Sequence, residues 1–203
     1  LQPPRGMKSP ALLVPMAIHC EWRSNLIQHK DNSVTQIGVY QIHPEAQLPS
    51  YATAQSACFD ISACLLDGES IAAFSAYNAT VINNSVRDGK VIMQSGSRML
   101  VPTGLVFDIP EGYSLRLHPR SGLAYKSGIT LANCEGVIDS DYWHQTFVAL
   151  INTSHCEFTI HHGDRIAQGE IVALMPSTFH TLTEAPQQRT QRQGGFGSTG
   201  QNT

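Results

Sequence analysis

Two carboxylates two positions apart, Asp139 and Asp141, lie in the run Gly136-Val-Ile-Asp-Ser-Asp-Tyr142, and an aromatic ring follows at once. Side chains two apart on a strand share a face. A strand here groups Val137, Asp139 and Asp141 on one face, with Ile138, Ser140 and Tyr142 on the other. A carboxylate on a half-buried strand is costly unless it has a partner or a task. Two of them beside a tyrosine read as a water-activating or metal-binding site with an aromatic wall.

Four further stretches carry chemistry-bearing residues. In His118-Pro-Arg-Ser-Gly-Leu-Ala124, Arg120 can form a fork to phosphate oxygens and Ser121 can hold another, while Gly122 permits close approach. Taken alone, the stretch reads equally well as an ordinary capped turn. The run Gln193-Gly-Gly-Phe-Gly-Ser-Thr-Gly200 could wrap phosphates with backbone N–H groups, or be a plain Gly/Ser tail. Gly163-Asp-Arg-Ile-Ala-Gln168 leads a turn into a strand carrying Arg165 and Gln168, and by itself is a surface turn with a salt bridge. In Ser50-Tyr-Ala-Thr-Ala-Gln-Ser-Ala-Cys-Phe-Asp-Ile61, Asp60 sits at a strand start, where a turn aspartate is the plain reading.

The elements that must position these residues are short. Segments rich in Val, Ile, Thr and Tyr alternate with Gly, Pro, Asn and Asp clusters: Thr35 to Ile42, Lys90 to Met93, Met99 to Phe107, Ser114 to Leu117, Thr146 to Asn152, Glu157 to Ile160 and Ala167 to Leu174. That spacing predicts an all-β sandwich or barrel. One short helix is predicted at Ser121 to Lys126, closed by Gly128. The chain divides into an N-terminal extension, 1–34, a β core, 35–183, and a polar Gly-rich arm, 184–203. Within the core, 67–98 reads as an insertion or long loop, with Asn78, Asn83, Asn84, Asp88, Gly89 and Gly96 as turn residues.

The 203 residues suffice for one domain with a good core. A net charge of −3 argues against stable nucleic-acid binding, though not against a nucleotide substrate. Five cysteines without a C-x-x-C pair argue against a zinc site; the odd count and the lack of a signal peptide favour a reducing compartment. No apolar run reaches membrane-spanning length. The proline-containing start, Leu1 to Pro10, lacks an initiating Met, and Met7 is a candidate start.

The order of these stretches is more specific than any one of them. It resembles the five-motif order of the trimeric dUTPases, over roughly residues 37 to 200. The resemblance implies a distorted, jelly-roll-like β-barrel, assembled as a homotrimer whose active sites draw on all three chains. It implies Mg²⁺-dependent hydrolysis of dUTP to dUMP and pyrophosphate in the cytoplasm, or in host cytoplasm or nucleus for a viral source. Asp139 matches the general base and Tyr142 the ring packed on the deoxyribose; Asp141 is left a structural or subunit-contact role. Arg120, Ser121 and Gly122 match the phosphate-binding trio, Asn133 with Val137 and Ile138 the hairpin that reads uracil, and Gln168 a phosphate-side contact. Phe147 is also carried over as a substrate contact. Asp60 matches the acid that supports the metal's water shell. Phe196 matches the ring that stacks on uracil, with Gly197, Ser198 and Thr199 beside it on the closing arm.

The sequence departs from the pattern in places, and the departures resemble those of viral or phage members. Cys58 stands where the first motif has glycine, and Trp143-His144 replaces a glycine-dependent turn after Tyr142. Gln191 stands at the fifth motif's arginine, leaving Arg192, or else Arg189, as the cation for the γ-phosphate. Two alternatives stay open: a relative acting on dCTP or a modified dUTP, and a dUTPase that also binds a protein partner through 67–98.

Overall fold

A computed structural model describes residues 34–76 and 81–191. The described residues fold into fourteen strands and one helix. The strands are β1 (Gly38–Gln41), β2 (Ser50–Tyr51), β3 (Phe59–Ser62), β4 (Ser70–Phe74), β5 (Val81–Ser85), β6 (Lys90–Met93), β7 (Arg98–Pro102), β8 (Leu105–Asp108), β9 (Tyr113–His118), β10 (Ile129–Leu131), β11 (Gly136–Ile138), β12 (Phe147–Asn152), β13 (Phe158–His161) and β14 (Arg165–Ala173); the helix is α1 (Ser121–Ser127). Two five-stranded sheets, ordered β10-β12-β7-β4-β5 and β11-β9-β14-β3-β2, carry the architecture, with two-stranded ladders β1-β8 and β13-β6. All the strand pairings are antiparallel. The all-β expectation and the single helix hold, in a two-sheet jelly-roll arrangement; backbone pairing does not close the sheets into a barrel.

Both sheets contribute to one core. Ile129, Val101, Val148 and Leu150 from the first sheet, and Ile61, Leu115, Leu117 and Ala167 from the second, belong to one buried cluster. Period-2 alternation does the sorting. On β9, Leu115 and Leu117 are buried while Arg116 and His118 between and after them are half-buried on the other face.

Two expected strands are corrected. Met99 to Phe107 is not continuous: it breaks at Thr103-Gly104 into β7 and β8. Gly104 has φ +69°, and a Cβ there would lie 2.7 Å from the Ala46 Cβ and 2.9 Å from the Cys64 Sγ. The adjacent Thr103 hydroxyl donates to the Thr146 carbonyl at 2.6 Å and accepts from the Leu105 N–H at 3.2 Å, which fixes the corner. Gly136 to Tyr142 is not one strand either. β11 stops at Ile138, and the Tyr142 N–H donates to the Asp139 carbonyl at 3.1 Å in a turn. The shared face for Asp139 and Asp141 therefore does not exist.

The described residues of 67–98 are largely strand rather than one long loop. They supply β4, β5 and β6, with β4 paired to β7 inside a main sheet and β6 paired to β13. The helix runs one residue beyond its expected end, to Ser127, and Gly128 closes it in the left-handed conformation (φ 68°), its N–H reaching the Ala124 and Leu123 carbonyls. No helix among the described residues is long and apolar enough to cross a membrane.

Candidate active site

One cluster is organised by Asp60. In the register of the second sheet, Gln168 on β14 stands opposite Asp60 on β3 and opposite His118 on β9. Asp60 is largely buried, with 16% of its side chain exposed, and each of its oxygens is paired with an arginine. Arg120 Nε reaches Oδ1 at 3.2 Å and Arg165 Nη1 reaches Oδ2 at 2.9 Å. Arg120 Nη1 also donates to the Arg165 carbonyl at 3.1 Å, and Gln168 Nε2 donates to the Pro119 carbonyl at 3.2 Å. A guanidinium has five N–H donors. In Arg120, Nη1 is bonded to the Arg165 carbonyl and Nε faces Asp60, which leaves Nη2 for an anion. Beside it, Ser121 and Gly122 are exposed, and a Cβ at Gly122 would meet nothing within 4 Å.

Residue parity alone would place Arg165 and Gln168 on opposite faces. The register of β14 against β3 shifts between Arg165 and Ala167, so Ile166 and Ala167 are both buried while Arg165 and Gln168 both face Asp60. Such bulges commonly re-aim side chains beside functional sites. Arg165 was not among the expected site residues, because only the bulge turns it inward to the cluster.

The second group lies beyond β11. Asp139 is exposed. Tyr142 is 37% exposed, and its hydroxyl donates to the Gln145 carbonyl at 3.0 Å. Gln145 lines a groove with Phe147, Leu100 and Pro102, so Phe147 belongs to this end of the molecule. Where a glycine was missed by the sequence, Trp143 stacks on His144 at 4.3 Å between ring centroids, and Tyr142 meets His144 edge-on. Asn133 is exposed in the turn before β11, Val137 is exposed, and Ile138 packs on the core.

The two groups do not meet within one chain. β11 runs antiparallel to β9, with Gly136 opposite Leu117 and Ile138 opposite Leu115. Asp139 thus lies beside the first residues of β9, about level with Ser114, and Arg120 lies two residues past its end. At the rise of an extended strand this separates them by roughly 15–20 Å. Among the described residues, no hydrogen bond or ion pair links Asp139 or Tyr142 to Asp60, Arg120 or Gln168. Arg192, Phe196, Gly197, Ser198 and Thr199 lie outside the described residues.

Cys58, the departure in the first motif, is half-buried beside His118 and Glu170. Burial, and then the Glu170 carboxylate, push its thiol up from the ordinary value. His118 Nε2 is 3.1 Å from Glu170 Oε2, and Arg116 is 3.3 Å from Glu135.

The two-sheet jelly-roll fold thus carries an arginine–aspartate cluster at one sheet end and a carboxylate–tyrosine turn near the other. The dUTPase family model matches residues 85–200, and the chain belongs to the dUTPase family. It is 39% identical over 153 residues to the deoxyuridine 5'-triphosphate nucleotidohydrolase of Caulobacter vibrioides, covering 75% of this chain and 85% of that one. The enzyme of the same name from Syntrophotalea carbinolica is 35% identical over 164 residues, covering 81% and 96%. Among solved structures, a Staphylococcus bacteriophage 80alpha dUTPase with dUpNHpp has a TM-score of 0.64 at 18% identity, covering 82% of this chain and 99% of that one. The dUTPase of Staphylococcus aureus phage phi11, solved with attention to a structural Mg(II) ion, has a TM-score of 0.58 at 18% identity, covering 74% and 98%.

Proposed function

We propose that the protein is a dUTP diphosphatase, active as a homotrimer whose sites each combine groups from different chains. Family membership supports the reaction. The observation that supports the sharing is the placement of Asp139 and Arg120 at opposite ends of β9. That separation favours a site that takes its base and its phosphate clamp from different copies.

In this reading Asp139 accepts a proton from a water whose oxygen bonds to the α-phosphorus. The bond from that phosphorus to the bridging oxygen breaks, and pyrophosphate leaves. Arg120 holds phosphate oxygens with the donors left free by Asp60 and the Arg165 carbonyl. Ser121, Gly122 and Gln168 complete that side. Tyr142 packs on the deoxyribose, and the hairpin of Asn133, Val137 and Ile138 reads uracil, with Phe147 near the sugar end. The arm carrying Arg192, Phe196, Gly197, Ser198 and Thr199 closes over the base.

Mg²⁺ needs hard oxygen ligands and retains waters. Among the described residues, the one group of three metal-ligating side chains is Cys58, His118 and Glu170, whose sulfur and nitrogen suit a softer ion. Asp60, a single carboxylate between two arginines, fits an outer place, accepting from a metal-bound water. The residues therefore fit Mg²⁺ brought in on the substrate's phosphates, where it would neutralise charge on the leaving pyrophosphate.

Pyrophosphate release measured across dUTP, dCTP, dTTP and UTP with Mg²⁺ tests the reading. dUTP should be turned over fastest; faster turnover of dCTP would replace it with the dCTP-acting alternative. An added partner-binding role for 67–98 is favoured by the position of β5 at a sheet edge, with Phe74 exposed on β4 beside it. A bacteriophage 80alpha dUTPase is described as controlling transfer of virulence genes. Phe74→Ser should abolish partner capture while leaving hydrolysis intact if the role exists here.

A further inference from the structure

We propose that Cys58, His118 and Glu170 form a binding site for a zinc-class divalent cation on the half-buried outer face of the second sheet. The thiol sulfur, imidazole nitrogen and carboxylate oxygen lie within 4.8 Å of one another. A tetrahedral zinc ion holds such ligands about 3.3–3.7 Å apart, so small side-chain rotations close the site. His118 Nε2 already stands 3.1 Å from Glu170 Oε2.

The surroundings match a metal site rather than a chance meeting. The other ring nitrogen of His118 faces Glu135 Oε1 at 3.9 Å, and Glu135 is itself held by Arg116 at 3.3 Å. At 3.9 Å the Glu135 carboxylate is a charged neighbour of the ring and not a hydrogen-bond partner; a small rotation brings it to the outer place carboxylates take behind a ligating histidine. Three protein ligands leave a fourth position for water. A thiolate with an imidazole selects zinc-like ions over Mg²⁺, so this site is separate from the substrate-borne metal.

The position also has a consequence for the phosphate clamp. Each proposed ligand lies two residues from a clamp residue: Cys58 from Asp60, His118 from Arg120, Glu170 from Gln168. Cys58 adjoins β3, His118 ends β9 and Glu170 lies on β14. An ion there ties these three neighbouring segments together beside the cluster that orients Arg120. The linear sequence argued against zinc because the cysteines have no close-spaced partner; the donors meet only across strands.

The test uses the full chain, stripped with a chelator and titrated with Co²⁺ and then Zn²⁺. One Co²⁺ per chain should bind, with thiolate-to-cobalt charge-transfer absorption that Zn²⁺ displaces and equimolar Mg²⁺ does not. Cys58→Ser should abolish the absorption, and Glu170→Gln should keep it while weakening binding about tenfold or more. Zn²⁺ should raise the melting temperature of the unsubstituted protein and not of Cys58→Ser. Circular dichroism identifies any variant that fails to fold, and Cys134→Ser/Cys156→Ser is the control that should bind normally. Absorption persisting in folded Cys58→Ser, or none from the folded unsubstituted protein, overturns the site. Nucleotide hydrolysis is measured separately with Mg²⁺, so its failure speaks to the proposed reaction and not to this ion.

Discussion

Asp139 and Arg120 flank opposite ends of β9: Asp139 follows Ile138, which pairs with Leu115 near the strand's start, and Arg120 lies two residues beyond His118, at its end. In the proposed shared site the two come from different copies of the chain. Symmetric trimers allow this, because each copy offers both halves to different neighbours.

Complementation tests the relationship directly. Asp139→Asn and Arg120→Ala chains are each expected to be nearly inactive. Unfolded together and refolded as mixed trimers, they should regain up to about a quarter of normal turnover, since each site then draws its base and its clamp independently. Refolded mixtures no more active than the separate variants, with mixing verified by mass spectrometry, would place both groups in a single-chain site. A monomer by light scattering would contradict the shared-site reading.

Asp139→Asn should lower kcat by about 10²–10⁴-fold, the usual contribution of a positioned general base, with little change in affinity for a non-hydrolysable dUTP analogue. Asp139 is exposed, so stability should hardly move. Near-normal pyrophosphate release would remove Asp139 from its role.

Asp60→Asn should leave two guanidiniums without their shared anion. Asp60 is mostly buried but Arg165 is 55% exposed, so the stability coupling in an Asp60→Asn/Arg165→Gln double-mutant cycle should be only about 0.5–1 kcal/mol by urea denaturation. The larger effect should be a raised KM, because Arg120 loses the partner that orients it.

Gly104→Ala should destabilise the fold by about 1–3 kcal/mol. The added methyl needs a left-handed backbone (φ +69°) and meets the Ala46 Cβ at 2.7 Å. Thermal melting measures this.

The thiols should separate by reactivity. Cys134 and Cys156 are exposed, while burial pushes the thiols of Cys58 and Cys64 up. At neutral pH, iodoacetamide should label Cys134 and Cys156 well before Cys58 and Cys64. A thiol whose folded value is raised favours the folded state while it is protonated. Its contribution is full below the unfolded thiol's value and is lost as pH rises through that value toward the folded one. The melting temperature should therefore fall above about pH 8.5, and Cys64→Ala should flatten the alkaline decline.

Much of the fold was legible because period-2 alternation reports the core directly. Lys90 to Met93 coincides with β6, and Ser121 to Gly128 holds the helix and its closing residue. The readings failed where backbone geometry overrode side-chain pattern. Met99 to Phe107 runs through Pro102-Thr103-Gly104, a turn-forming triplet set between apolar residues, and the positive φ of Gly104 makes the corner there. β-branched residues before Asp139 suggested a strand reaching Tyr142, yet the backbone turns after Ile138.

By itself the sequence determined the order of the chemistry: which arginine, serine, aspartate and tyrosine occur, in the series that marks the family. That information is local, because each motif is a few adjacent residues. Tertiary structure decided which of them face one another. A register shift in β14 brings Arg165 and Gln168 to the same side as Asp60, and cross-strand placement gathers Cys58, His118 and Glu170. Antiparallel pairing of β11 with β9 sends Asp139 away from Arg120. These relations depend on strand register and parity between residues distant in sequence, which no local spacing contains.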